Sequence, residues 1–261
     1  GIVSNGRLAA RSGLGAVMGS KHLKAIVAQG NCSIPIYNPQ QAESLRRELL
    51  GKIGGPWVEV WKKYGTAGAL STAVEMGDSP VKNWGGSIID FPNSQNISDE
   101  KVVERQLKRY GCWHCPIACG GIISNTHDSI ELRTRKPEYE TLSSFGPLIL
   151  NDNLDDIVQM NVICDQAGLD TISAGSVIAF AIEIFENKLI TVSDTDGLIL
   201  KWGNGDSAIQ LLKKIIKREG IGDILADGVA RASEKIGQSS EIFAMHIGKQ
   251  ELPMHDPRLT M

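Results

Sequence analysis

Amphipathic helical segments fill the second half of the chain and limit its fold more than any other feature. Over 152–166, apolar residues such as Leu154, Ile157 and Val158 recur every three or four positions, which is the period of an α-helix. Gly168 follows and can end this helix in the left-handed conformation. Further helices are predicted from Asp170 or Thr171 to about 186, over 206–219 and over 223–236, the last two ended by Gly220 and Gly237. Such a series predicts helices packed around one apolar core.

The first half combines shorter helices with loops. We predict a strand-like run over 23–28 after a glycine-rich segment, a loop over 83–96, and helices over 41–50, 57–64, 67–76 and 98–110. The predicted fold class is therefore mainly α (α+β overall), a helical domain preceded by a small β-containing part.

Composition and charge exclude several classes of protein. The chain has 261 residues, with 27 Lys and Arg against 30 Asp and Glu and a net charge of −3, unlike a nucleic-acid-binding surface. No apolar run approaches the roughly 20 residues needed to cross a membrane. This length predicts one large domain or two ordinary ones. Because the chain begins at Gly1 and stops at Met261 without an obvious end, we expect a piece of a longer polypeptide.

Three of the five cysteines form a C-x2-C-x3-C run at Cys112, Cys115 and Cys119. Three thiolates at these spacings can converge on one face of a cuboidal iron–sulfur cluster, which is held by four thiolates. An odd cysteine count with three residues clustered is unlike a secreted disulfide framework. The cysteines therefore indicate a metal or cluster site in a reducing compartment, here the cytoplasm.

The spacing alone leaves the nature of this site open. A fourth cluster ligand could be Cys32, Cys164 or a cysteine beyond the chain. A zinc site that uses the three cysteines with His114 or His127 is an alternative. Buried thiols without a metal are a third reading.

The glycine-rich segment 11–21 is similar to nucleotide-binding loops but matches neither common pattern. Its order Gly19, Ser20, Lys21 does not fit the Walker sequence, and its third glycine comes one position late for a dinucleotide fold. Backbone N–H groups around Gly13 can still contact a phosphate. The alternative is a turn between core elements.

A carboxylate pair flanks the turn at Gly168. Here Asp165 and Asp170 could accept two parallel hydrogen bonds from a planar, guanidine-like ligand edge. The structural alternative is that Asp170 only caps a helix and Gly168 only ends one.

Two other segments carry candidate acids and bases. Glu138 and Glu140 lie two positions apart in one segment, and His255 stands beside a proline-containing turn in another. Each could transfer protons, although lone carboxylates and histidines are more often solvated or structural.

Six segments together resemble the aldehyde:ferredoxin oxidoreductase family of tungsten-pterin enzymes. They occur in the family's order and span nearly the whole chain. The matching motifs are RSGLGAVMGSK from Arg11, C-x2-C-P-x2-C-G from Cys112, PEYET from Pro137, GLDTIS from Gly168, GIGDILADGV from Gly220 and ELPMHDPR from Glu251.

The resemblance implies the middle portion of a three-domain enzyme. Residues 1–34 would end a β-rich N-terminal domain that forms a base for the cofactor. Residues 35–240 would form the helical domain that binds pterin and cluster, and 241–261 would begin a third, helical domain.

The resemblance also implies roles for particular residues. The three clustered cysteines would bind a [4Fe-4S] cluster whose fourth ligand lies beyond Met261. Glu140 and His255 would lie near the metal. The expected cofactor-binding residues are Arg11, Gly13, Asp165, Leu169 and Asp170, of which Arg11 and its neighbours would lie near the pterin phosphates and their magnesium.

The implied activity is oxidation of an aldehyde to a carboxylic acid at tungstopterin (or molybdopterin), with electrons passed to ferredoxin. Glu140 would take a proton and His255 would polarise the carbonyl group. The expected partners are ferredoxin and a small aldehyde, with a homo-oligomer as a possible assembly. The alternatives are an aromatic acyl-CoA reductase of the same family and a non-catalytic iron–sulfur or zinc module.

Overall fold

The computed structural model describes residues 1–127 and 130–259, without the side chains of 125–127 and 130–132. The α-helices are α1 Leu14–Ser20, α2 Pro39–Lys52, α3 Pro56–Tyr64, α4 Leu70–Met76, α5 Asp99–Glu104, α6 Tyr139–Phe145, α7 Leu154–Ala167, α8 Thr171–Glu186, α9 Gly205–Lys217, α10 Ile221–Leu225 and α11 Val229–Ile236. The strands are β1 Ile2–Ser4, β2 Arg7–Ala9, β3 Gln106–Tyr110, β4 Gly120–His127, β5 Ile130–Arg135, β6 His246–Ile247 and β7 Gln250–Glu251. The predicted mainly helical class is confirmed.

Helix α8 runs through the centre of the core, and α6, α7 and α9 pack around it. Most of its side chains are buried, including Phe180 and Ile182. Gly175 allows α6 to approach closely, since a Cβ atom there would lie 2.5 Å from the carbonyl oxygen of Ser144. The helical core therefore holds α6, and with it the segment around Glu140, in a fixed position.

The predicted helices of the second half are present, with some differences at their ends. Gly168 ends α7 at a φ of 71°, and the Asp170 side chain caps α8 by accepting from Ser173 N. Helix α9 ends earlier than predicted, at Arg218, which takes the left-handed conformation itself. The predicted helix over 223–236 is two helices, because Gly228 has a φ of 87° between them.

The predicted helix over 98–110 is wrong in its second half. Ser98 caps α5 as expected, but Gln106–Tyr110 is strand β3. It pairs antiparallel with β4, which pairs antiparallel with β5 in a three-stranded sheet of order β3-β4-β5. Pairing with β4 makes 106–110 a strand, and β4 follows the cysteine loop in the chain. This sheet carries the cysteine loop between β3 and β4.

The predicted strand over 23–28 is also absent from the part of the chain described here. These residues are exposed and have no neighbouring strand, and a strand requires a hydrogen-bonded partner. The other strands form two hairpins, β1–β2 and β6–β7. The domain boundaries at 34 and 240 stay predictions.

Among the described helices, no single one is long and apolar enough to span a membrane. Helices α7 and α8 together meet the length and composition criteria but are bent by 119° relative to each other.

Candidate active site

A cavity of about 450 Å³ brings together two motifs that are far apart in the sequence. It is lined by Glu138, Tyr139 and Glu140 from the start of α6 and by His255 from the C-terminal segment. Two hydrogen bonds join these segments: the Tyr139 hydroxyl donates to Met254 O at 2.7 Å, and Met254 N donates to Glu140 Oε2 at 2.8 Å. The structure therefore places the two predicted catalytic residues in one site.

His255 lies between two carboxylates. Its Nδ1 is 2.7 Å from Asp78 Oδ2, and its Nε2 is 3.7 Å from Glu140 Oε1. The imidazole stacks on the ring of Tyr139, with ring centroids 4.9 Å apart. The backbone N–H of Asp256 also donates to Asp78 O at 2.6 Å. An ionised Asp78 can only accept, so Nδ1 carries a proton in this pair, and Nε2 is directed towards Glu140.

Tyr139 supports this arrangement as a neutral phenol. Burial raises the pKa of Tyr139 well above its ordinary value, and the charge of Asp78 acts in the same direction. The phenol therefore keeps its proton and its hydrogen bond to the Met254 carbonyl. Its ring provides a fixed surface against which His255 packs.

Glu138 and Glu140 have different environments although both line the cavity. Glu138 Oε1 is 2.8 Å from Arg7 Nη1, and its Oε2 accepts from Thr66 Oγ1 at 2.5 Å. Thr66 in turn accepts from Tyr139 N at 3.0 Å. Both oxygens of Glu138 are thus bonded, one to Arg7 in the N-terminal hairpin and one to Thr66. By contrast, Glu140 has one oxygen directed towards His255.

The cysteine loop connects β3 to β4 and is shaped by backbone hydrogen bonds. Cys115 N donates to Cys112 O at 3.0 Å, and Arg109 donates to the carbonyl of Ile117 at 2.9 Å. The pKa of the Cys115 thiol is lowered by hydrogen bonds from the backbone of Ala118 and Ile117. Amide donors directed at a sulfur favour the thiolate, the form that binds metals.

The three cysteines differ in exposure. Cys112 is exposed, while Cys115 and Cys119 are half-buried. Burial raises the pKa of Cys119, with a contribution from the charge of Glu138. Within the described residues, no three His, Cys, Asp or Glu side chains form a group that could hold a metal ion. The convergence of Cys112, Cys115 and Cys119 on one cluster therefore stays a prediction.

The other candidate ligands for this loop are placed unevenly. Cys32 is exposed, and Cys164 is completely buried inside α7, where burial raises the pKa of its thiol. His114 is exposed, with its ring 4.2 Å from that of Trp113. The side chain of His127 lies outside the described residues.

Gly65 borders both the cysteine loop and the main cavity. A Cβ atom at Gly65 would overlap the carbonyl oxygen of Cys119, so the backbone of Gly65 packs directly against the backbone of Cys119. Gly65 also lines the cavity that contains Glu140 and His255. Beside it, the buried Lys136 donates to Tyr64 O at 2.6 Å, and burial lowers the pKa of this lysine. The backbone of Gly65 is therefore next to the last cysteine and also part of the cavity wall.

A second, smaller cavity of about 170 Å³ adjoins Glu138 and contains the acidic turn. Asp165, Leu169 and Asp170 all line it. Burial raises the pKa of Asp165, and Arg135 and Arg7 act in the opposite direction. No hydrogen bond to the Asp165 carboxylate is present among the residues described. Asp165 is thus half-buried and lines this cavity.

Asp170 has a structural role as well. Its Oδ2 accepts from Ser173 N and lies 3.0 Å from Arg11 Nη1, so the cap expected as the structural alternative is present. Arg11 Nη2 donates to Glu251 O at 2.6 Å. Three motifs that are separate in the sequence therefore meet at Arg11.

Gly13 lies beside this junction, immediately before α1. Its φ is 74°, and no atom lies within 4 Å of the position its Cβ would take. Arg11, Gly13 and Asp170 border a third cavity, of about 380 Å³. Arg11, already bonded to Asp170 and to Glu251 O, and the backbone at Gly13 thus line a space next to the acidic turn.

Some residues of the site were not identified from the sequence. No local pattern marks Asp78 or Thr66, whose partners lie far along the chain. Trp57 and Trp61 line the main cavity and could have been noticed, because their spacing of four places them on one face of a helix.

Comparison with known proteins gives consistent matches. A family model described as aldehyde ferredoxin oxidoreductase, domains 2 and 3, matches residues 49–261. The tungsten-containing aldehyde ferredoxin oxidoreductases of Pyrococcus furiosus and Thermococcus kodakarensis are 37% and 36% identical to the chain over 262 residues. Each match covers 98% of this chain and 42% of the relative. The chain thus spans less than half the length of these relatives.

Two further proteins extend the comparison. The aliphatic sulfonate oxidoreductase, WOR-like subunit, of P. furiosus is 30% identical over 244 residues, covering 90% of this chain and 38% of that protein. Among solved structures, the active-site complex BamBC of benzoyl-coenzyme A reductase with 1,5-dienoyl-CoA superposes with a TM-score of 0.76. The two chains are 28% identical, and the match covers 94% of this chain and 38% of the chain in that complex.

The family model covers most of the chain, and the relatives match almost all of it. The segments that match include both halves of the main cavity and the cysteine loop. The chain therefore belongs to the aldehyde ferredoxin oxidoreductase family, a family of oxidoreductase enzymes.

Proposed function

We propose that a longer protein containing this chain oxidises aldehydes to carboxylic acids at a tungsten–bis-pterin centre. The observation that carries this proposal is the cavity that holds Glu140 and His255 and lies one glycine away from Cys119. Proton-transfer groups and the route for electrons would then lie close together, on elements that both border Gly65. The electrons would leave through a [4Fe-4S] cluster on Cys112, Cys115 and Cys119 to ferredoxin.

In this reaction an aldehyde and a water molecule become a carboxylate, with release of two electrons and three protons. When bound, the tungstopterin (or molybdopterin) supplies the two-electron acceptor, and the cluster passes the electrons on singly. Glu140, which lines the cavity with its Oε1 near His255, would take a proton. To polarise the carbonyl oxygen, His255 donates from Nε2 while Nδ1 donates to Asp78, which requires the imidazolium form.

The residues present suit the proposed cofactor. The half-buried Asp165 carboxylate faces the cavity beside Asp170 and could accept the paired N–H donors of a pterin edge, with Leu169 packing beside it. Arg11 and the backbone N–H groups at Gly13 could bind a pterin phosphate, whose magnesium would lie nearby. The thiols and the amide donors around Cys115 suit a cluster, whose sulfurs accept such hydrogen bonds. We further propose a cytoplasmic location and leave a homo-oligomer as the assembly to test.

Anaerobic purification of the full-length protein tests the proposal. We expect about four irons and one tungsten or molybdenum per chain, with viologen reduction by aldehydes. E140Q and H255A are each expected to lower kcat by about a hundredfold or more, the usual range for loss of a proton-transfer group. Their metal content should stay that of the parent protein.

The matched control is E241Q, because Glu241 is exposed and outside the cavities described. It should retain full activity. Zinc alone, without iron or tungsten, would contradict the proposal and leave a structural metal module. In that case E140Q and H255A would leave function intact.

A second candidate is reduction of an aromatic acyl-CoA. It is favoured by the likeness to benzoyl-coenzyme A reductase, whose complex superposes with a TM-score of 0.76. The same preparation separates the two activities. Oxidation of the reduced viologen by benzoyl-CoA, with no turnover of any aldehyde, would support this second candidate.

A further inference from the structure

The wall of the main cavity is aromatic. Trp57 and Trp61 lie on α3 four positions apart, so their indoles lie on the same face of the helix, and both line the cavity. They are 77% and 47% exposed, respectively. Indole rings are mostly buried in folded proteins. This pair thus presents a large apolar surface to the cavity.

The polar groups of the same cavity come from other segments, α6 and the C-terminal segment. Glu140 and His255 provide the proton-transfer groups, and the Tyr139 ring stacks on His255 with centroids 4.9 Å apart. Gly65 and Gly68, which carry no side chains, also line the space. The cavity, at about 450 Å³, falls in the size range of small-molecule sites. The cavity thus combines reactive groups with a broad apolar wall.

The charge of the cavity restricts its ligand further. Among the described residues that line it, none is Lys or Arg. Glu138 already has a cationic partner in Arg7, 2.8 Å away. An aldehyde that carries a phosphate or carboxylate would find no Lys or Arg among these described residues, and the charge of His255 is already balanced by Asp78 and Glu140. It would therefore lose hydration on entry without a free cation among them to replace it. The site favours an uncharged substrate.

We propose that the substrate is an uncharged aromatic aldehyde whose ring packs against Trp57 and Trp61 while its carbonyl group lies at Glu140 and His255. This inference rests on the proposed function and specifies its substrate class. A flat ring gains from aromatic contacts beyond the area that it buries. A short aliphatic aldehyde reaches the same reactive groups without these contacts.

The test compares benzaldehyde, acetaldehyde and glyceraldehyde 3-phosphate as substrates of the full-length holoenzyme. We expect kcat/KM for benzaldehyde to exceed that for each of the other two by about tenfold or more, on the scale of aromatic contacts. W57A and W61A should each lose about tenfold more for benzaldehyde than for acetaldehyde, mainly through KM. W57F and W61F should retain most of the benzaldehyde preference.

Tyr37→Ala is the matched control, because Tyr37 is a fully exposed aromatic residue that does not line the cavity. It should keep the substrate preference. We measure iron and tungsten content and Tm on each variant to identify a loss of activity that comes from misfolding. If W57A or W61A misfolds, W57F and W61F decide whether an aromatic ring at these positions supports the benzaldehyde preference.

The outcomes distinguish the two proposals. If kcat/KM for acetaldehyde or the phosphorylated aldehyde equals that for benzaldehyde, the proposed aromatic substrate class is wrong, while aldehyde oxidation stands. Equal losses of kcat/KM for benzaldehyde and acetaldehyde in W57A and W61A would also overturn the aromatic substrate class. If the metal-loaded protein oxidises no aldehyde, the proposed function itself fails.

Discussion

The Nδ1 atom of His255 lies 2.7 Å from Oδ2 of Asp78, a residue 177 positions earlier in the chain. This pair fixes the orientation of the imidazole, because the Tyr139 ring packs against its face and the backbone of Asp256 donates to Asp78 O. The other ring nitrogen is then directed towards Glu140. Asp78 is thus a positioning residue that acts through His255.

We expect D78N to lower kcat of the full-length protein by about tenfold or more, with little change in KM, because a carboxylate orients a catalytic histidine better than an amide does. Steady-state kinetics with one aldehyde measures this. D206N is the control, since Asp206 is exposed at the start of α9, and it should change neither constant. A D78N protein with parental kcat would show that the pair is only structural.

The cysteine loop makes a prediction about metal content. C112S, C115S and C119S should each lose most of the iron and the visible absorbance of the cluster, because an iron–sulfur cluster needs its thiolate ligands. C32S is the matched control, since Cys32 is exposed and lies outside the loop. Iron analysis after anaerobic purification decides the outcome. Iron retained in the three loop variants would contradict the assignment, and an equal loss in C32S would identify Cys32 as the fourth ligand.

Asp227 predicts a pH-dependent stability. Hydrogen bonds from Lys235 and then Arg218 lower the pKa of Asp227 from 3.8 to about 2. A lowered carboxyl pKa contributes stability that is complete above the ordinary value and is lost as the pH falls from about 4 to about 2. D227N should therefore lower the free energy of unfolding at pH 7 by about 1 kcal/mol or less, since the bridge is near the surface.

Denaturation of the parent protein and D227N at several pH values measures this effect. The difference between them should shrink steadily below pH 4 and disappear near pH 2. A difference that stays constant over this range would rule out the ionic origin of the effect.

Close packing between α6 and α8 predicts a steric effect. G175A should lower the free energy of unfolding by about 1–3 kcal/mol, because the new Cβ would lie 2.5 Å from Ser144 O and 2.7 Å from Ser144 Cβ. G51A is the matched control: Gly51 lies in α2 with no atom within 4 Å of a new Cβ. It should raise stability by up to about 1 kcal/mol. A Tm of G175A at or above that of G51A would contradict this packing.

Several parts of the site could be predicted from the sequence because each was a contiguous motif. Glu140, His255 and the acidic turn were identified in this way, and the structure places the first two in one cavity. The separate roles of Glu138 and Glu140 could not be predicted. They depend on Arg7 and Thr66, which contact Glu138 from segments 131 and 72 positions away.

Helices α7, α8 and α9 follow from local sequence, because apolar periodicity and caps such as Asp170 and Gly168 act over a few neighbouring residues. The tertiary structure decided that Gln106–Tyr110 is a strand, since its partner strand β4 follows the cysteine loop. It also decided that Asp78 orients His255 and that Trp57 and Trp61 face the same cavity as Glu140. These contacts join distant segments, so packing of the whole chain produces them and no local pattern encodes them.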